Sequence, residues 1–411
     1  MRTTRFFLFA LTGLTLAACG PNKRGDDDDD GIPDAPPPDA PCNTSISGKV
    51  FAPNGTLPLY NVTVYIPQNP PGPMMDGLQC AQCSTSLPGG SVTQTKTDAE
   101  GKFILDSVPP GTDVPIIITT GKWRRQLTVP FVGQCVDTPV MDGFLRLPKN
   151  RNEGDLPKIA VVTGGCDPLA CILSKMGIDA TEFGSNSAGP ERVTFYNGQG
   201  GTAPGTPQPS TALWENLNEM KKFDMVINSC ECSEYNTNKL MPDLLKQYAD
   251  QGGRVFGSHF HYTWTKNLIP AWQGTADWVT NPSSVTPDLV DTSHPDGQAL
   301  AKWLTAVGAS TVPGQITLGT KTYDAGPVVP PTTRWLYNSG SPAASHYLSF
   351  KTPVGVQMDQ QCGKVVYAGM HVSSGSVGTT FPASCSTSFT PDEKALVFLL
   401  FDLGSCVDII F

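Results

Sequence analysis

The sequence predicts two domains, a small antiparallel β-sandwich followed by an α/β domain on a doubly wound parallel sheet. Three observations carry this. Residues 43–150 hold short alternating strands separated by turn residues, with no helical period. From Leu156 onward, continuous apolar runs alternate with amphipathic helices, as in a sheet buried on both faces. The chain has 411 residues, enough for both domains after a targeting segment.

The N-terminus reads as a secretory signal over residues 1–18. Arg2 and Arg5 precede an apolar stretch from Phe6 to Ala18 that is too short to span a bilayer and fits a signal h-region. "LAAC", Leu16 to Cys19, resembles the bacterial lipobox. That resemblance implies an exported lipoprotein held to membrane lipid through an acylated Cys19. Gly20 replaces the Asp that marks inner-membrane retention in well-studied bacterial lipoproteins, which implies the outer membrane. Residues 19–42 contain five consecutive Asp and then Pro, Asp and Ala, a composition that forms an extended, self-repelling tether. A net charge of −9 and a pI near 5.0 argue against nucleic acid and against attraction to acidic lipid surfaces.

Twelve cysteines in an exported chain read first as disulfides. Cys19 apart, the candidates are Cys42, Cys80, Cys83, Cys135, Cys166, Cys171, Cys230, Cys232, Cys362, Cys385 and Cys406. Their number is odd, so at least one is a free thiol, a cross-link to another chain or a metal ligand. Cys42, Cys80, Cys83 and Cys135 precede residue 150 and are expected to pair among themselves.

In the first domain, "SISGKVFAPNG" and "YNVTVYIP" alternate apolar and polar residues. "DAEG" offers a type I turn closed by Gly101, after which Phe103 and Leu105 share a face. These segments, with "TDAEGKFIL" and "VPPG", resemble the carboxypeptidase regulatory-like domain of the carbohydrate-binding-like sandwiches. The resemblance implies a spacer or glycan-contact role and no catalysis. Met74 to Gly90 reads as an inserted loop.

The second domain, residues 155–411, opens with the buried strand "KIAVVTGG". "DPLACILSKMG" then reads as a helix with Asp167 as N-cap, Pro168 at its first position and Gly177 as its stop. "RVTFY", "FDMVINS", "RVFGS" and "GKVVYAGMH" supply further strands. Between them lie helices marked by Leu213, Leu217 and Met220 and by Leu240 to Gln251. "SHPDGQALAKWL" reads as a helix capped by Ser293. "TPDEKALVFLLFDLG" closes the chain with a capping box from Thr390 to Glu393. This alternation is flavodoxin-like in its expected winding.

"FDMVINS", "LLKQYADQGGRVFGSHFHYTW", "SHP" and "GKVVYAGMH" occur in the order found in class I glutamine-amidotransferase-like domains and most resemble the ThuA-like branch. The resemblance spans the second domain, with no readable pattern from Trp264 to Ser349. It implies a ligand site at the carboxyl edge of the sheet. His259 stands where amidotransferases carry a nucleophilic Cys, so thiol-based glutamine hydrolysis is excluded.

Ligands of such sheets bind beyond the carboxyl ends of the strands. His259, His261 and His371 lie there, and Trp264, Trp272 and Trp278 follow in a segment placed to wall a pocket. Three readings compete. The histidines are satisfied strand-end residues, or His259, His261, His371 and Trp264 line a carbohydrate pocket with His259 and His371 as acid/base candidates. The third is a metal site of His259, His261 and His371 with Glu231 or a Cys. There is no P-loop, dinucleotide fingerprint or nucleophile elbow, so neither a nucleotide nor any organic cofactor is expected. The sequence therefore favours a lipid-anchored envelope binding protein, with a carbohydrate-active hydrolase as the alternative.

The anchor has a direct check. Cys19→Ser is expected to move the protein from the detergent phase to the soluble fraction in phase partitioning, and unchanged partitioning would remove the lipoprotein reading.

Overall fold

The computed structural model describes residues 42–407 apart from 84–85, 279–284, 323, 341–342, 373–376 and 379. The signal segment, Cys19 and most of the tether lie outside the described residues. Among the described residues, no helix is long and apolar enough to cross a membrane.

The sandwich has a four-stranded sheet and a three-stranded one. The first runs Ser91–Lys96, Thr63–Pro67, Gly111–Thr120, Trp123–Val132, antiparallel throughout. In the second, Ser45–Lys49 pairs antiparallel with Lys102–Leu105 but parallel with Asp137–Pro139, which corrects the all-antiparallel expectation. The cause is local. Cys42–Cys135 joins the two segments at one end, and Cys135 takes a left-handed φ of 60°. Ser45 and Ser47 then donate to the Asp137 carboxylate at 2.8 and 2.5 Å, holding the two segments side by side in the same direction.

The α/β sheet carries five long parallel strands in the spatial order Val193–Asn197, Ile159–Thr163, Met225–Asn228, Arg254–Ser258, Gly363–Ala368, with two-residue parallel pairings of Phe183–Gly184 and Gln208–Pro209 on the first of these. In chain order this is 2-1-3-4-5, the flavodoxin-like winding, with its switch point between the first and third strands. The five are buried at nearly every position, which is why they read as unbroken apolar runs. Beyond Gly363–Ala368 the sheet continues antiparallel through Ala344–Thr352 and Thr333–Asn338. Most of that extension falls within Trp264 to Ser349, the stretch with no readable pattern.

Two helix starts differ from expectation. The helix Leu169–Lys175 has no side-chain cap, because the Asp167 carboxylate is engaged elsewhere. Pro295–Ala306 is capped by His294 rather than Ser293: its Nδ1 accepts from Gly297 N at 3.1 Å. The capping box of Pro391–Gly404 forms as read, Thr390 and Glu393 each accepting the other's backbone N–H.

Sandwich and α/β sheet share one continuous apolar core. Trp123 packs on Phe401 and Tyr60 stacks on Phe398, both with ring centroids 5.8 Å apart. Gly121, at the turn between Gly111–Thr120 and Trp123–Val132, has φ +53°, and a Cβ there would fall 1.8 Å from the Gly404 carbonyl oxygen. The segment read as an inserted loop is a clamp. Cys80 bonds Cys362 and Cys83 bonds Cys406, so the four early cysteines do not pair among themselves; only Cys42–Cys135 stays within the sandwich. The loop lies against the start of the last parallel strand and the end of the last helix, which brings those sulfurs within reach.

A shared core predicts one cooperative unfolding transition for both layers. Cys83→Ser with Cys406→Ser is expected to cost on the order of 2–4 kcal/mol while keeping that single transition, since Cys80–Cys362 still closes most of the same loop. Two separate transitions in calorimetry of the wild type would contradict the shared core.

Candidate functional site

The carboxyl ends of four parallel strands meet around one carboxylate. Asp167 follows the first strand and its side chain is fully sealed from solvent. Its Oδ2 accepts from Ser258 Oγ at 2.6 Å, and its Oδ1 from Val372 N at 3.0 Å and His371 Nδ1 at 3.2 Å. Ser258 Oγ accepts in turn from Cys230 N at 2.8 Å, adding the third strand's end. Gly164 allows this convergence, because a Cβ there would stand 2.1 Å from the Cys230 carbonyl oxygen.

His371 Nδ1 donates to the Asp167 carboxylate, which leaves Nε2 as the ring nitrogen turned away from it. His259 faces His371 edge to face, ring centroids 4.6 Å apart. It gets there by a left-handed turn: Ser258 ends its strand extended, and His259 takes φ 36° as a 3₁₀ turn begins. That backbone is costly for a non-glycine residue, and such strain clusters at functional sites. His259 Nδ1 lies 3.6 Å from Cys230 Sγ, and its Nε2 lies 3.6 Å from Asp324 Oδ2. One donor atom from each of Cys230, His259 and His371 falls within 4.8 Å of the others. The two imidazoles are partly exposed, and Phe260 lies against His259 at the same opening.

Burial and the neighbouring His371 hold the His259 imidazole well below its usual range, at about 4. It is neutral at pH 7. Burial, with the nearby Asp167 and Glu231 charges, pushes the Cys230 thiol up to about 12, despite N–H bonds to its sulfur from Phe260 and Cys232. Burial also raises Asp324 above the ordinary carboxylate range.

His261 and Trp264 leave the site, which corrects their reading as ligand-binding residues. The 3₁₀ turn swings His261 into the interior, 2% exposed, where Nε2 meets the Ser229 carbonyl at 3.0 Å and Nδ1 accepts from Trp264 Nε1 at 3.1 Å. Both ring nitrogens are thus spoken for, so His261 is no metal ligand. Trp264 and Trp272 are core residues and Trp278 packs on Tyr367, so the aromatic wall does not form. Glu231 is also removed from the metal set: its Oε2 is held by Lys239 at 2.7 Å, both side chains sealed. Of the remaining cysteines, Cys166–Cys232 bridges the loops after the first and third strands and Cys171–Cys385 ties the first helix to the segment beyond His371. Cys230, a disulfide candidate from sequence, is the free cysteine of the described residues.

Sequence reasoning missed Asp167, Ser258 and Asp324. Asp167 carried a misleading signal, since Asp-Pro ahead of a helical run also describes a cap. A cavity of about 370 Å³ lies elsewhere, where the sandwich meets the sheet, lined by Lys122, Asp224 and Arg254. These three charges are already paired or bonded to carbonyls.

No family model matches the chain, and no curated protein matches it. Among solved structures it is similar to a ThuA-like protein from Bacteroides uniformis, at 14% identity over 59% of this chain and 88% of that one, with a TM-score of 0.26. Two interface mutants of a type II cohesin–X-dockerin complex from Acetivibrio cellulolyticus match at 17% and 16% identity. They cover 36% of this chain and 78% and 79% of theirs, each with a TM-score of 0.17. Likenesses this slight carry no functional weight, and the site is read from its own chemistry.

The depressed His259 pKa sets a pH dependence. The unfolded chain binds this proton near pH 6.5 and the folded one only near 4. Stability from this group is therefore complete above pH 6.5 and is lost as pH falls toward 4, by at most about 3 kcal/mol. Buried His261, held below its usual range by burial and Lys239, acts in the same direction. His259→Gln is expected to flatten the fall measured by denaturant unfolding between pH 7 and 4, and an unchanged slope would contradict the depressed value.

Proposed function

We propose that this chain is an exported, lipid-anchored envelope protein whose α/β domain binds a polar small molecule, a carbohydrate by class, in the His259/His371 cleft. The observation that carries the reading is the pair itself. Asp167 fixes the direction of the His371 ring, which meets a second imidazole, His259, edge to face at the mouth of the sheet's carboxyl edge. Phe260 beside His259 offers an apolar face for a sugar ring, and the imidazoles bond its hydroxyls. The sequence resemblance to carbohydrate-binding-like sandwiches and ThuA-like domains supports the ligand class. Five disulfides fit an oxidising compartment.

A second reading, a carbohydrate-active hydrolase, draws on the same Asp167–His371 contact, since a carboxylate orienting an imidazole is the arrangement of a general base. One experiment separates the two. Under the binding reading, glycan-array and calorimetric titration give a sugar ligand whose affinity falls roughly tenfold or more in His371→Ala, about 1.4 kcal/mol, while His259→Ala costs less. A hydrolase instead releases reducing ends and loses nearly all turnover in either variant. No sugar bound and none cleaved across the panel would overturn the carbohydrate reading.

A further inference from the structure

We infer that Cys230, His259 and His371 form the binding site of one divalent transition ion that prefers thiolate and imidazole, zinc before copper. The inference rests on reading the cleft as the functional site and names what organises it.

Three geometric facts support it. First, a tetrahedral zinc with Zn–S about 2.3 Å and Zn–N about 2.05 Å places its sulfur and nitrogen ligands about 3.6 Å apart. Cys230 Sγ and His259 Nδ1 stand 3.6 Å apart. The third donor lies within 4.8 Å of both, so at most about 1.5 Å of side-chain adjustment brings all three to one ion. Second, His371 is backed by a buried carboxylate, and a second carboxylate stands near His259. His371 turns Nδ1 to Asp167 Oδ1 and His259 turns Nε2 to Asp324 Oδ2. A carboxylate–histidine–metal relay of this kind holds the ring and raises its basicity; His371 has one through its 3.2 Å contact, while Asp324 stands 3.6 Å from His259, beyond hydrogen-bond reach. Third, the sulfur receives backbone N–H groups from Cys232 and Phe260, the environment that stabilises a metal thiolate.

The donor set selects the ion. One thiolate and two imidazoles suit zinc or copper and are a poor match for calcium or magnesium, which take oxygen ligands. Three protein ligands with both histidines partly exposed leave a fourth position toward the cleft, the pattern of zinc sites that bind water or a substrate oxygen. A sugar hydroxyl is such an oxygen.

The test measures metal without sugar. The full chain, exported and purified without chelator or polyhistidine tag, is expected to carry about one zinc per monomer by elemental mass spectrometry. Cys230→Ser, His259→Gln and His371→Gln should each lose most of it, while His294→Gln, at a helix cap, keeps it. Asp167→Asn is expected to weaken zinc about 10–100-fold, the effect of losing the carboxylate behind a ligand histidine. Cobalt substitution should produce a thiolate-to-metal charge-transfer band that Cys230→Ser abolishes. Should a variant misfold, the wild-type cobalt spectrum decides alone, because that band requires a free thiol. Wild-type protein that takes up no zinc, copper or cobalt on reconstitution overturns the proposal, as does uptake unchanged in the three ligand variants. Metal without any sugar binding leaves this site standing and sinks only the carbohydrate reading; sugar binding by a wild type that takes up no metal does the reverse.

Discussion

One buried carboxylate sets the geometry on which the site depends. A carboxyl group sealed inside a domain costs several kcal/mol unless donors replace its lost water. Asp167 finds them in Ser258, Val372 and His371, all from other strand ends. Ser258 passes the constraint to Cys230 through the latter's backbone N–H. The ends of the first, third, fourth and fifth parallel strands are thereby fixed to one another, the first on one side of the switch point and the other three beyond it. Truncating Asp167 would leave the Ser258 hydroxyl and the Val372 amide without their buried acceptor, so the residue supports the fold and orients His371 by the same contacts.

The same residue marks where the sequence stopped being legible. Strands buried on both faces announce themselves as apolar runs, and the Thr390–Glu393 box is local, so the winding of the sheet and its last helix could be read directly. Asp167 looked like a helix cap because capping is the local use of an Asp before Pro. Its actual partners lie 91, 204 and 205 residues away, and no local pattern encodes them. Disulfide pairing failed for a related reason. Sequence proximity put Cys80 and Cys83 with the sandwich, while the fold carries their loop to Cys362 and Cys406. The odd cysteine count did contain one piece of information, that at least one thiol stays outside the chain's own disulfides, without saying which.

His259 and His261 show how two residues of spacing become two different functions. On an extended strand they would share a face. The left-handed turn at His259 breaks that relation, leaving His259 at the cleft and turning His261 inward against Ser229 and Trp264. The buried histidine is held neutral by burial, with each ring nitrogen committed. The half-buried one keeps a nitrogen near Cys230 and the ring of His371, where a ligand can reach it. Aromatic richness after the second histidine was therefore a signal of core packing rather than of a pocket wall.

The sandwich contributes to this site from the far end of the strands. Arg254 opens the fourth parallel strand and its guanidinium bonds the carbonyls of Cys362 and Ser405, residues held to the sandwich's loop by their own or a neighbouring disulfide. Cys362 immediately precedes the fifth strand. The amino ends of the strands leading to His259 and His371 are thus clamped to the first domain, while the histidines sit about 16 Å away, five strand residues at ~3.3 Å each. At that distance the sandwich supplies no ligand atom to the cleft. Its effect is on the freedom of the strands themselves. With both ends of the fourth and fifth strands pinned, one by disulfides and Arg254 and the other by Asp167, the separation of His259 and His371 is set by the sheet rather than by loop motion, as a site that must hold one small ligand between two imidazoles requires.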